Sequence, residues 1–180
     1  EMETSALLIL DLDECLIHAS ESPLERPADY SIGPFSVYER PHVRHFLQSV
    51  SQTYKLAIWS SATIDYVEAI VQQIQPPHVS WEFVWGRDRC TRRYDMELLE
   101  EGYIKDLKKT KRLGFPLERI LFVDDTPSKL MRNYGNAIYI KPFEGDSEDA
   151  ELLQLAKYLD AIHQMQDFRK IEKRHWRLTK

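Results

Sequence analysis

Short, unbroken apolar runs alternate along this chain with stretches whose apolar residues recur every three to four positions. Ala6 to Leu12, interrupted only by Asp11, has the length and apolar continuity of a strand buried on both faces. Pro41 opens a predicted helix with Val43, Phe46, Leu47 and Val50 on one side. Leu56 to Trp59 reads as a second strand. Thr63 is placed to cap a helix with the stripe Val67, Ile70, Val71 and Ile74, which Pro76-Pro77 stops. Lys105 to Leu113 predicts a short, polar helix with Lys105 at its start and Gly114 closing it. Ile120 to Val123 is a third strand, followed by Asp125-Thr-Pro-Ser-Lys129, a capped helix start with Pro127 in its first turn. Asn136 to Ile140 is a fourth strand. Leu152, Leu155, Ala156, Leu159 and Ile162 mark a long helix entered through Glu148 and Asp149, acids that the helix dipole favours. Such alternation implies a parallel sheet covered by helices on both faces, with the ligand site beyond the carboxyl ends of its strands.

Length and composition agree with one globular domain: 180 residues, 43% hydrophobic and 29% charged. No apolar run has the length of a membrane span or a signal-peptide core, so neither membrane insertion nor secretion is expected. Cys15 and Cys90 form no disulfide framework and have no zinc spacing, which points to an intracellular, reducing setting, cytoplasmic or nuclear. The formal charge of −5 is uneven: from Asp167 onward six Lys/Arg face two acids, leaving the rest of the chain at −9. An acidic body excludes direct nucleic-acid binding through phosphate neutralisation. The expected organisation is a domain over residues 1–165 and a basic helical tail over 166–180, in a monomer.

Chemistry gathers at three strand ends. The first strand leads into Asp11-Leu-Asp13-Glu-Cys15, the second into Ser60-Ser61, the third into Asp124-Asp125-Thr126, and Lys105 adds a cation. Asp11, Asp13, Asp124 and Asp125 would repel one another unless a cation sat among them. Their all-oxygen chemistry, without His or Cys, suits Mg²⁺. Carboxylates, a hydroxyl and an ammonium around such an ion are what phosphoryl transfer needs, since it depends on positioning and charge neutralisation. The thiol route, a cysteine with arginine six positions on, is absent, because Glu21 and Met96 occupy those places.

Asp11-Leu-Asp-Glu-Cys-Leu-Ile-His-Ala-Ser20 resembles the first motif of the haloacid-dehalogenase superfamily, in the form used by RNA polymerase II C-terminal-domain phosphatases and the NLI-interacting-factor group. The resemblance continues through Arg40-Pro-His-Val-Arg-His-Phe-Leu47, Trp59-Ser-Ser-Ala-Thr63, Tyr103-Ile-Lys-Asp-Leu107 and Leu121-Phe-Val-Asp-Asp-Thr-Pro-Ser128, spanning residues 5 to 160 in the family's order. It implies a Rossmann-like, three-layer α/β/α fold around a central parallel sheet. It also implies that Asp11 is a nucleophile forming an aspartyl-phosphate and Asp13 the acid and base. Asp11, the Asp13 carbonyl, Asp125 and Asp124 would serve Mg²⁺, and Ser60, with Ser61 beside it, and Lys105 would hold phosphate. Tyr66 matches one aromatic of the family's substrate pocket, whereas Glu21 replaces another.

About 27 residues separate Asp13 from Pro41 and about 44 separate Ser60 from Lys105, too few for a large cap. An open site suits a phosphorylated protein or peptide, most simply at serine or threonine, also at tyrosine, with Arg87 and Arg89 guiding it at the rim. The alternatives are a small-metabolite phosphatase of the same chemistry and a non-catalytic interaction module on the same fold. A signalling receiver also combines aspartates, Mg²⁺ and lysine. The order here, Asp-x-Asp, Ser, Lys, Asp-Asp, is instead that of the hydrolases.

Overall fold

The computed structural model describes residues 5–179; Lys180 of the basic tail lies outside the described residues. In chain order the strands and helices are β1 (Leu7–Leu10), β2 (Ile17–Ser20), β3 (Tyr30–Ile32), β4 (Phe35–Glu39), α1 (Val43–Val50), β5 (Lys55–Trp59), α2 (Ile64–Ile74), β6 (Trp81–Trp85), β7 (Thr91–Asp95), β8 (Glu100–Ile104), β9 (Ile120–Asp124), β10 (Ala137–Tyr139) and α3 (Glu151–Ile162). Five strands form one parallel sheet in the order β10-β9-β1-β5-β6. The most apolar run, β1, takes the central place, where neither face meets water.

The pleat of β1 and β5 divides the core. Leu8, Leu10, Leu56 and Ile58 enter the larger cluster with the apolar stripes of α1, α2 and α3. Leu7, Ile9, Ala57 and Trp59 enter the smaller one with Phe83, Leu107, Phe122 and Leu130. The three-layer arrangement is therefore as expected, but all three α-helices cover one face. The opposite layer is built from 3-10 helices, including Leu107–Leu113 and Pro127–Leu130. Two expected helices are thus 3-10 turns, and Lys105 does not begin one of them; it directly follows β8. Gly114 does close the first, at φ 84°, a left-handed conformation that glycine adopts without cost. Thr63 sits at the cap of α2, though its side chain makes no capping bond.

Two small antiparallel insertions complete the fold. A three-stranded sheet, β2-β4-β3, fills the interval after Asp13, and the β7–β8 hairpin fills part of that before Lys105. Neither forms a large cap. The basic tail makes two 3-10 turns, Phe168–Lys170 and Trp176–Leu178, and packs on the body. Phe168 and Trp176 are buried in the larger cluster, and Lys173 donates to the carbonyls of Gly135, Phe168 and Ile171. Both cysteines are buried free thiols. Among the described residues no helix is long and apolar enough to cross a membrane.

Candidate active site

Register alone brings the motifs together. Leu10 pairs with Ile58 on one side and Val123 on the other, so the chain exits from β1, β5 and β9 side by side at one edge of the sheet. Beyond β1 the backbone folds back on itself: the amides of Cys15, Leu16 and Ile17 all donate to the Leu12 carbonyl, and Glu14 takes φ 61°. That tight turn holds Asp11 and Asp13 at the exit. Asp11 is anchored by its own amide, which donates to the Val123 carbonyl at 3.0 Å.

Lys105 is the electrostatic centre. Fully buried, its Nζ donates to Asp11 Oδ1 and to Asp124 Oδ2, each at 2.8 Å. Burial alone would raise the Asp11 pKa, but the charges of Lys105 and Lys129 prevail and hold it below the ordinary carboxylate value. Asp124 is pushed the other way, up to about 7, by burial and by the charge of Asp11, despite Lys105. Lys105 itself is held above the usual lysine value: burial opposes its charge, and the two carboxylates more than offset that. Asp125, half-buried beside them, is also raised, by burial and Asp11. One lysine therefore serves a cluster with a surplus of negative charge.

That surplus has a shape. Oxygens of Asp11, Asp124 and Asp125 lie within 4.8 Å of one another, the only such group of His, Cys, Asp or Glu among the described residues. Three carboxylates with no nitrogen or sulfur donor match a hard divalent cation such as Mg²⁺, and a cation there would relieve the repulsion that raises Asp124 and Asp125. Asp13 directs its carboxylate elsewhere: Oδ1 accepts the Tyr66 hydroxyl hydrogen bond at 2.6 Å. Burial, helped by the Asp11 charge, keeps Asp13 above the ordinary carboxylate value, with Tyr66 and the lysines opposing.

The two serines differ. Ser60 is buried, and its Oγ accepts the Ala62 amide at 3.0 Å, which tightens the loop after β5. Ser61 is half-exposed, and its Oγ accepts from Lys129 Nζ at 2.9 Å. Lys129 was not singled out from the sequence. The signal was Pro127 just after the acidic pair, which starts the 3-10 turn carrying Lys129 back toward the site. The Lys129 carbonyl in turn accepts the Lys105 amide at 2.8 Å. Arg87 reaches the site as well, its Nε donating to the Ser61 carbonyl at 2.9 Å. Gly86 permits this approach, since a Cβ there would lie 2.9 Å from the Ala62 carbonyl oxygen. Arg89 turns away and stacks over the Trp85 ring, 4.9 Å from its centroid. Tyr66, expected on a pocket wall, stands on Asp13, with Phe35 packed edge-on against its ring at 5.8 Å.

A parallel sheet whose strand ends deliver Asp-x-Asp, serine and Asp-Asp, with a lysine from the hairpin inserted between the last two, defines a haloacid-dehalogenase-type fold. The family described as NLI interacting factor-like phosphatase matches residues 6–169. The chain belongs to that family. It is 32% identical over 184 residues to the CTD nuclear envelope phosphatase 1 homolog of Caenorhabditis elegans, covering 94% of this chain and 71% of the relative. It is 29% identical to the CTD small phosphatase-like protein 2 of Dictyostelium discoideum, covering 90% of this chain and only 28% of that protein. The solved structure of Fcp1, an essential RNA polymerase II CTD phosphatase, aligns with a TM-score of 0.61 at 21% identity, over 93% of this chain and 52% of that one.

Proposed function

We propose that the chain is a Mg²⁺-dependent phosphomonoesterase that acts through an aspartyl-phosphate on Asp11, on phosphoserine or phosphothreonine in proteins. The observation that carries this reading is the Lys105 clamp across Asp11 and Asp124 beside a three-carboxylate cluster. The clamp keeps Asp11 ionised in a buried place, as a nucleophile requires. It occupies Oδ1 and leaves Oδ2 to attack phosphorus.

Asp13 has the opposite task and the opposite shift. Raised by burial, it can carry a proton, and with Tyr66 on Oδ1 that proton belongs on Oδ2. In the first step the Asp11–phosphorus bond forms, the ester bond breaks, and the leaving oxygen takes the Asp13 proton. In the second, water attacks phosphorus, gives its proton to Asp13, and Asp11 departs as a carboxylate. Ser61, Lys105 and Lys129 would hold the phosphate oxygens, with Ser60 shaping the loop beneath them. Asp11, Asp125 and the Asp13 carbonyl, with Asp124 alongside, would hold the metal, which when bound neutralises charge on the transferring phosphoryl group.

A protein substrate is supported by the small size of both insertions and by the relatives, which are named as CTD phosphatases, among them a nuclear envelope phosphatase homolog. Their names and the two free buried thiols support an intracellular setting. Phosphate release from a phosphoserine peptide, with Mg²⁺ and then with EDTA, tests the reading. Release that needs the metal supports it; none under either condition, from folded protein, overturns it.

A further inference from the structure

A cleft of about 470 Å³ opens between the β7–β8 hairpin and the Pro127–Leu130 turn, and it runs directly out of the candidate active site. Ser61 and Lys129, already placed there, are also walls of the cleft, as is Arg87. Further out the lining changes character. Leu98 and Met131 supply apolar surface, and Asp95 and Glu100 supply acid.

The hairpin register orders these zones. Thr91 pairs with Ile104 at the base, Arg93 with Gly102 in the middle, and Asp95 with Glu100 toward the tip. Alternate residues share a face, so Arg93, Asp95, Glu100 and Gly102 lie on the same side of the hairpin. That side faces the cleft, because Arg93 reaches across to Met131 Sδ at 2.8 Å. At about 3.4 Å per residue, the Asp95–Glu100 pair stands roughly 13 Å from the hairpin base beside Lys105. Gly102 leaves the middle of the wall without a side chain. Leu98 is 68% exposed at the tip, an apolar surface that the chain itself does not cover. Asp95 is engaged in the turn, accepting the amides of Glu97 and Leu98, whereas Glu100 makes no salt bridge among the described residues.

We propose that this cleft is the specificity subsite for the segment flanking the phosphorylated residue, and that it favours a basic side chain three or four positions away, paired with Glu100 and Asp95. Charge complementarity decides the occupant. A phosphate at Lys105 and Lys129 and a cation at Glu100 are separated by what an extended peptide covers in about four residues. The intervening residues meet Arg93, Gly102 and Met131, and Leu98 stands beyond the acidic pair at the tip. This inference rests on the phosphatase reading for its phosphate end.

A panel of phosphoserine peptides, each with one arginine walked through the five positions on either side of the phosphate, tests it on the full chain. The readouts are the selectivity ratio, kcat/KM for each peptide over its all-alanine parent, and anisotropy of the fluorescent peptides. One register should be favoured about threefold, the effect weakening with added salt, as expected for an exposed ion pair. Glu100→Gln should reduce the ratio and Glu100→Lys should turn it against arginine. No preferred register, or a preference that survives Glu100→Lys, overturns the proposal. Capture that ignores charge and tracks self-association in sedimentation would assign the cleft to a second copy and also overturn it. Hydrolysis of para-nitrophenyl phosphate by the unaltered chain reports on the catalytic reading alone. If that fails, anisotropy still decides the cleft by the same criteria.

Discussion

Tyr66 donates its phenolic hydrogen bond to Asp13 Oδ1 at 2.6 Å, joining the first turn of α2 to the residue proposed as acid and base. The contact fixes which carboxyl oxygen is left to carry a proton. Tyr66→Phe keeps the ring that packs on Phe35 and removes only that restraint. General acid catalysis contributes about 10²–10⁴-fold, so loss of its positioning should cost about tenfold in kcat with KM little changed. The signature is leaving-group dependence: phosphoserine peptides should suffer more than para-nitrophenyl phosphate, whose leaving group needs little protonation. Equal losses on both would reduce Tyr66 to a structural role.

Activity and stability should part company at Asp11. Asp11→Asn removes the nucleophile and should lower turnover by about 10³-fold or more. The same change removes the charge that helps push Asp124 up to about 7, leaving Asp124 free to ionise against Lys105. Loss of the Asp11 charge, which Lys105 favours, and relief of Asp124 oppose each other, so metal-free Asp11→Asn should unfold in urea at a midpoint near the parent's. Lys105→Met should be far more costly, since breaking a buried ion pair typically costs about 3–5 kcal/mol. A marked destabilisation by Asp11→Asn would mean that the repulsion inferred for the cluster is not there.

Metal should be visible without any substrate. A ligand that binds only the folded state at about 100 times its Kd adds about 2.7 kcal/mol. Mg²⁺ should accordingly raise the Tm of the EDTA-treated chain, and Asp125→Asn should remove most of that shift while sparing the metal-free Tm. A Tm indifferent to Mg²⁺ in the parent would contradict the fit of the three carboxylates to the ion.

Legibility in the sequence followed burial. Three of the four strands read from apolar runs, β9, β1 and β5, form the centre of the sheet, where burial on both faces writes a continuous signal, and the fourth, β10, is an edge that Trp176 covers. The fifth, β6, is an edge strand with exposed Glu82 and half-buried tryptophans, so its pattern resembles scattered packing residues. The β7 segment, Thr-Arg-Arg-Tyr-Asp, is solvated on nearly every residue and is a strand only because β8 pairs with it; periodicity cannot report that. The acidic pairs were legible because they follow adjacent strand ends, and Lys105 because it falls between them in the motif order, although a hairpin strand delivers it. Lys129 was not, because its place depends on a 3-10 turn rather than a strand end. Arg40 was quoted within a motif without a role; its partner, Asp149, lies far along the chain.

Arg40 and Asp149 also give the chain an acid-sensitive link. The Arg40 guanidinium is buried, bonded twice to Asp149, at 2.8 and 2.9 Å, and once to the Cys15 carbonyl. Burial opposes ionisation of Asp149, but Arg40 and the Glu151 amide prevail and depress its pKa. A depressed carboxyl stabilises the fold fully above its unfolded pKa, near 3.9, and that contribution is lost as pH falls through the lower folded value. Asp149→Asn should thus lose stability at neutral pH and show a shallower decline in urea midpoint below about pH 4. An unchanged acid limb would show that other carboxylates govern it.

The tail is expected to hold the fold, not the chemistry. Trp176 is 1% exposed, donates its indole N–H to the Tyr139 carbonyl at 2.9 Å, and packs against Tyr158 of α3. It thereby covers an edge of the sheet at β10, where an unpaired carbonyl would otherwise face solvent or another strand. Arg177 reinforces the position by pairing with Glu151 at the start of α3. Removing a buried tryptophan costs both its transfer free energy and the cavity left behind, about 3–5 kcal/mol for Trp→Ala. Trp176→Ala should lower the urea midpoint accordingly, while the protein that remains folded at low temperature keeps kcat within about twofold. A loss of kcat at full folding, measured by circular dichroism on the same sample, would instead connect the tail to the catalytic end of the sheet through β10 and its neighbour β9.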